Sequence, residues 1–284
     1  METPTLAPRM SSELSKRIAT AVAGVVVLLA LIIYTRSLGV FLIALVLSLG
    51  MTYEFASITF SLGDRVEKRY AMLSLVWVIQ VGNWVSPRSE FELLMLGFFG
   101  LFFYFLFTSK RHEPPQYAVH FRELALASFG LIYVAMLPVY FLKLHELPNG
   151  VHWVLLFLFI VWANDIGAYF VGKKYGRRKL LPHVSPKKTV EGSQGGLISG
   201  LLIAILCKVA VFSSLTWFAA IVISLMVGGV AQIGDLCESF FKRSFDTKDS
   251  GSILPGHGGF LDRFDGVVFS LPVMYACIRL FGLG

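Results

Sequence analysis

Three cysteines in 284 residues are too few for a disulfide scaffold. Cys207, Cys237 and Cys277 are also spaced too widely for a thiol redox pair or a zinc site. Charge is scarce as well. Asp, Glu, Lys and Arg make up 15% of the chain, against about 25% in soluble domains. A water-soluble protein of this length would need a more charged surface. The glycine-bearing stretch Ser185–Gly196 holds no Walker-type GxxxxGK and is not a P-loop. Nor is there an internal repeat of the kind that accompanies many transporters, a low-complexity segment or a soluble domain.

Apolar residues fill the space these absences leave. They make up 56% of the chain, with 25 phenylalanines, and they cluster in runs of helix-spanning length. Nine such runs are expected to cross a membrane: Ile18–Tyr34, Val40–Phe60, Tyr70–Val85, Leu93–Phe107, His120–Leu142, Val151–Val171, Gly195–Phe212, Leu215–Ile233 and Gly266–Leu283. The first follows Arg9, Lys16 and Arg17 and is read as an uncleaved span rather than a signal peptide. Pro114 and Pro115 stop helices in the fourth connection. Pro138 falls near one end of the fifth span, where it is tolerated. The fold class is therefore an all-α, polytopic integral membrane protein with about nine transmembrane helices. Residues 1–150 would form an N-terminal membrane region of about five helices. Residues 151–284 would form a catalytic membrane region of about four helices and two cytoplasmic loops.

The net charge of +7 needs no nucleic-acid partner. With the N-terminus inside, 20 of the 25 lysines and arginines fall on inner segments, as the positive-inside rule requires. The expected setting is a cell inner membrane, crossed many times, with the active site on the cytoplasmic side.

Three polar features then share the inner face. Asn164 and Asp165 lie late in the sixth apolar run, where an acid should face a protein interior or a wet cavity. A packing carboxylate paired with a base is the alternative. Glu54 and Glu123 raise the same question more weakly and read as structural. The second feature is the stretch SPKKTVEGSQGG, Ser185–Gly196. Lys187 and Lys188 supply cations, and Ser185, Thr189 and Ser193 supply hydroxyls. The glycines allow backbone amides to approach an anion at a helix start. Topology and contact with anionic lipid would account for the bases alone.

The third feature is Gly234–Gly266, a dense polar segment between two apolar runs. Asp235 closes one run, with Glu238 three residues on, and Asp262 and Asp265 open the next at i, i+3 spacing. Oxygen ligands from two neighbouring helices suit Mg²⁺ together with substrate phosphate. Asp249 is a further acid, and the His257 imidazole could donate to a phosphate or move a proton. Capping and ion pairs with Lys242, Arg243 and Arg263 would explain one or two of the acids.

The same segment resembles the phosphatidate cytidylyltransferase (CDP-diacylglycerol synthase) family. Ser239, Lys242, Arg243, Lys248, Asp249, Gly251, Leu254, Pro255, His257, Gly258, Gly259, Asp262, Arg263 and Asp265 stand at the places of that family's pattern. Asp165, Ala168, Tyr169, Phe170 and Gly172, the SPKKTxEG block and Gly234–Ser239 are similar to it as well. The likeness is firm over roughly the last 125 residues. It implies a reaction of CTP with phosphatidic acid that yields CDP-diacylglycerol and pyrophosphate. It further implies dependence on Mg²⁺, an association with K⁺, carboxylate ligands at Asp235 and Asp262, a nine-helix fold and a homodimer. On these residues, Asp265, Asp249 and Asp165 would be further ligands or lie just behind them. Lys187, Lys188 and Arg263 would hold phosphate oxygens, with His257, Ser185, Thr189 and Ser193 assisting. A CTP-using lipid kinase, a cytidylyltransferase for isoprenoid ether lipids and a transporter are the competing readings.

Overall fold

The computed structural model describes residues 24–212, 215–251, 253 and 258–284. His257, Ser213, Ser214 and residues 18–23 of the expected first span lie outside these. The described chain is almost entirely helical. After Gly24–Tyr34 (α1) come Arg36–Thr59 (α2), Arg65–Val85 (α3), Glu90–Thr108 (α4) and Tyr117–Gly130 (α5). Leu137–Glu146 (α6), Gly150–Tyr175 (α7), Val190–Ala210 (α8), Trp217–Ser244 (α9) and Leu261–Leu280 (α10) follow. A two-stranded antiparallel hairpin, Lys179–Leu181 (β1) and Ser185–Thr189 (β2), joins α7 to α8.

Six helical segments among the described residues are long and apolar enough to cross a membrane: α2, α4, the continuous α5–α6 rod, α7, α8 and α9. The described part of α1 is short. Helix α3 opens with Arg65, Glu67, Lys68 and Arg69, and α10 carries Asp262, Arg263, Asp265 and Arg279. The α5–α6 rod contains a π-helical segment, Leu131–Met136, just before Pro138. Proline has no N–H to continue the α ladder, and a π turn re-registers the chain around it. Gln80 of α3 reaches into this segment and donates to the Ala135 carbonyl at 2.7 Å.

The surface is the reverse of a soluble protein's. On α8, Ile198, Leu202, Leu206 and Val209 are exposed along one face. On α4, Phe91, Phe99, Phe103 and Phe107 are exposed. Contiguous apolar faces of this extent belong against another apolar medium. The opposite face of α8 carries Gly192, Gly195, Gly196 and Gly200, all buried, and α7 packs on it more intimately than any other helix pair does. A Cβ at Gly195 would lie 2.4 Å from Val171, and one at Gly196 would lie 2.7 Å from the Asn164 carbonyl. Small residues at this spacing let two backbones approach closely. Gly196→Ala is therefore expected to push α7 from α8 and cost about 1–3 kcal/mol, read as a lower melting temperature in detergent.

Buried polar contacts sort the connections into two ends. Glu123 of α5 accepts from the Ser61 amide (2.7 Å), the Leu62 amide (3.3 Å) and Lys68 Nζ (2.6 Å). The Arg122 guanidinium lies over the Phe245 ring. Glu54 of α2 accepts from the Leu261 amide at 3.0 Å and lies 2.9 Å from the Ser250 hydroxyl. The connections after α2, α4 and α9 thus meet at one end. Val85, Arg88, Glu90, Lys143, Leu147 and Arg279 gather around a cavity at the other. Glu54 and Glu123 both hold structure together, as their sequence positions suggested.

Candidate active site

Helices α7, α8 and α9 and the β-hairpin enclose a cavity of about 480 Å³ at the first of these ends. Its wall includes Asp165, Lys187, Lys188, Thr189, Ser193 and Asp235, all expected site residues, together with Tyr169 and Gln232. Residues from three separate stretches of sequence are thus brought to one place. Asp165 opens onto the cavity rather than packing in the core. Its charge acts on Asp235 and Lys188, which lie within electrostatic range. Lys188 and Asp235 form an ion pair. Ile166, Tyr169 and Phe170, on the same turns as Asp165, are exposed and apolar. The cavity therefore adjoins a greasy outer surface.

The stretch 172–194 is not the long loop expected of it. Helix α7 continues through Lys173 and Lys174 to Tyr175, and α8 starts at Val190. Between them β1 and β2 pair, with Lys179 opposite Thr189 and Leu181 opposite Ser185. Ser185 is thus a hairpin residue and does not line the cavity. Thr189 caps α8, its hydroxyl accepting from the Gly192 amide at 3.1 Å. Glu191 accepts from the amides of Arg177 and Arg178, tying the hairpin base to the helix start. The glycines of this stretch serve helix contact, and Gly192, in the first turn of α8, also lines the cavity. Gly192, Gly195 and Gly196 all lie within α8 and face α7.

Gln232 is the residue that the sequence reading passed over. Its amide donates to Asn164 Oδ1 at 2.8 Å and to the Ser193 carbonyl at 3.0 Å, while the Ser193 hydroxyl donates to it. One side chain thus locks α7, α8 and α9 around the cavity. Its signal was a lone amide in an apolar run, one turn before Asp235.

The acids of α10 stand differently. Asp265 is buried, accepts from the Gly266 amide at 2.7 Å, and lies within electrostatic range of Asp235, Glu238 and Lys188. Asp262 is already engaged. Lys242 donates to Oδ1, while the Ser250 amide (3.0 Å), the Ser250 hydroxyl (2.9 Å) and the Gly259 amide (3.3 Å) lie at Oδ2. Lys242 also pairs with Glu238 at 2.8 Å. Asp262 and Asp265 consequently point to different partners instead of forming one pair. Arg263 is exposed in the first turn of α10, and Asp249 is exposed in the connection before it. Neither lines the cavity.

The donor set suits a hard divalent cation. Asp165, Asp235 and Asp265 are carboxylates on three helices, although among the described residues no three acids here bring their oxygens within 4.8 Å of one another, and buried Glu238 Oε1 has no hydrogen-bond partner among those residues. Magnesium prefers such oxygens and leaves room for water and phosphate.

A profile of the cytidylyltransferase family matches residues 15–281. The chain belongs to the cytidylyltransferase family. Among similar proteins, the phosphatidate cytidylyltransferase of Bacillus subtilis is 41% identical over 162 residues, 57% of this chain and 60% of that protein. The phosphatidate cytidylyltransferase of Staphylococcus saprophyticus is 37% identical over 194 residues, 68% of this chain and 70% of that protein. That of Staphylococcus haemolyticus is 36% identical over 208 residues, 72% and 76% of the two chains. This chain thus matches rather less than two thirds of the Bacillus relative and more than two thirds of the staphylococcal pair. Membership of the cytidylyltransferase family agrees with the resemblance carried by the 234–266 stretch.

Proposed function

We propose that this chain is a phosphatidate cytidylyltransferase, joining CTP to phosphatidic acid to give CDP-diacylglycerol and pyrophosphate. The observation that carries the reading is the cavity in which Lys187, Lys188, Asp165, Asp235 and Ser193 converge beside an apolar outer face. Cations there suit phosphate groups, carboxylates suit a divalent ion, and the greasy rim suits acyl chains that need not enter water.

A phosphatidate oxygen would attack the α-phosphorus of CTP in line. A new oxygen–phosphorus bond forms as the bond to the β-phosphate oxygen breaks, and the electron pair leaves with pyrophosphate. The nucleophile is already an anion, so no strong general base is required. The obstacle is repulsion between two phosphate groups. Lys187 and Lys188 would hold phosphate oxygens against that repulsion and stabilise the leaving group. Arg263, in the first turn of α10, and Asp249, on the connection before it, stand outside the cavity and would have to approach bound nucleotide to take part. Thr189 would act by keeping the start of α8 in place. Asp235 would hold Mg²⁺ with Asp165 and Asp265 beside it, and Asp262 would take part once Lys242 gave way. Bound there, Mg²⁺ would neutralise phosphate charge and align the two reactants. K⁺ and a homodimer remain expectations from the resemblance, open to ion-replacement assays and to light scattering.

We further place the nine apolar runs across the bilayer, with the cavity on the cytoplasmic face of the inner membrane. The distribution of Lys and Arg supports that orientation.

The deciding assay offers purified protein CTP labelled at the α- or γ-phosphate, with phosphatidate or dolichol as acceptor. Label from the α-phosphate should enter lipid only with phosphatidate. Transfer of the γ-phosphate to dolichol would replace this reading with a lipid kinase. Lys188→Ala is expected to raise the KM for CTP or phosphatidate about 10- to 100-fold, the worth of a hydrogen bond to a charged group. Unchanged kinetics would remove the hairpin from the site.

A further inference from the structure

We propose that Asp64, His112 and His120 form a second metal site, one for a zinc-type transition-metal ion, separate from the carboxylate cavity. Asp64 closes the connection between α2 and α3, His112 follows the short 3₁₀ turn after α4, and His120 lies in the first turn of α5. One ligand atom from each lies within 4.8 Å of the others. His112 Nε2 is 3.1 Å from Asp64 Oδ2, and the two imidazole rings are 4.4 Å apart between centres. Two ligands on one tetrahedral zinc, with bonds of about 2.0–2.1 Å, stand about 3.3 Å apart. The first pair already meets this spacing, and His120 stands within 4.8 Å of both.

The independent observation is the state of His120. Its side chain is buried, with 5% of the residue exposed. Nε2 lies 2.8 Å from the Phe105 carbonyl, which can only accept, so Nε2 carries the hydrogen. In the neutral ring Nδ1 then holds a lone pair, and Nδ1 is buried without a partner among the described residues. A buried acceptor left unsatisfied is costly. A ring nitrogen that donates to a carbonyl while the other faces an open ligand position is how proteins orient metal-binding histidines.

The surrounding charges agree. Lys68 lies on the far oxygen, Asp64 Oδ1, at 2.7 Å, and shares its charge with Glu123 at 2.6 Å. Two carboxylates against one ammonium leave a net negative charge beside two neutral imidazoles. Two nitrogens and one oxygen form a donor set that favours zinc, nickel or copper over magnesium. Bound there, the ion would clasp the connections after α2 and α4 to the start of α5.

The test uses the full-length protein in detergent, stripped with chelator and titrated with Co²⁺ in the presence of excess Mg²⁺. One Co²⁺ per chain is expected, with visible ligand-field bands that Zn²⁺ bleaches and Mg²⁺ does not. His120→Ala and His112→Ala should each abolish the bands, and Asp235→Asn should leave them. His112 lies in the connection between α4 and α5 rather than in a helix, with 7% of its side chain exposed, and His112→Ala decides the matter if His120→Ala fails to fold. Wild-type protein without the bands, or bands that survive His112→Ala, would overturn the proposal.

Discussion

Asp235→Asn is expected to reduce CDP-diacylglycerol formation by about 10³-fold, the effect of losing several kcal/mol of charge stabilisation at the reacting phosphates. Asparagine keeps the shape and part of the hydrogen bonding but removes the charge. Melting temperature should hardly move. The ion pair with Lys188 is partly open to solvent, with 27% and 43% of the two side chains exposed, and such pairs contribute little to stability. Activity and stability therefore separate at this position. At Asp262 they should fall together, because Asp262→Asn also loosens Lys242, Ser250 and Gly259. Rates and thermal melts measured on both variants read the contrast. Wild-type turnover in Asp235→Asn would detach the cavity from the chemistry.

Lys68→Met should be the most destabilising single change away from the cavity. Lys68 is buried, with its ammonium between Asp64 and Glu123. Burial alone would raise the Asp64 carboxyl; its contacts with Lys68 and His112 outweigh this and hold it below the ordinary value. Removing the lysine leaves Glu123 buried against the Ser61 and Leu62 amides with its charge uncompensated. Breaking one side of a buried pair typically costs about 3–5 kcal/mol. The expected result is a large drop in melting temperature, partly restored by adding Glu123→Gln, since the two changes act on one interaction. A melt unchanged by Lys68→Met would show that water reaches the cluster.

The helices could be read from the sequence because lipid demands long apolar runs, and every run with described residues is helical. Their ends could not. Hydrophobicity marks where a helix leaves the hydrocarbon, while the backbone continues until a cap stops it. Helix α9 runs beyond Ile233 to Ser244, and α7 beyond Val171 to Tyr175. The hairpin was hidden for the same reason, since basic residues suited a loop as well as two short strands. Within the cavity, Asp165, Lys188 and Asp235 could be proposed from composition and motif. The occupation of Asp262 by Lys242 and Ser250 could not, because i, i+3 spacing fixes a helix face and not the groups that meet it. The Asp64–His112–His120 cluster joins two histidines to an acid 48 positions before the first of them, and no local pattern links the three.

The carboxylate of Glu54 has a consequence for biogenesis. Its partner Ser250 lies 196 positions further along the chain, so a ribosome has made and inserted most of the protein before that contact exists. Until then an acid sits in the second helix of the nascent chain without its eventual donors. The end that holds the cavity can be completed only when the last segment arrives. Truncation near the C-terminus should therefore yield inserted but misassembled chains, the kind that membrane quality-control proteases recognise.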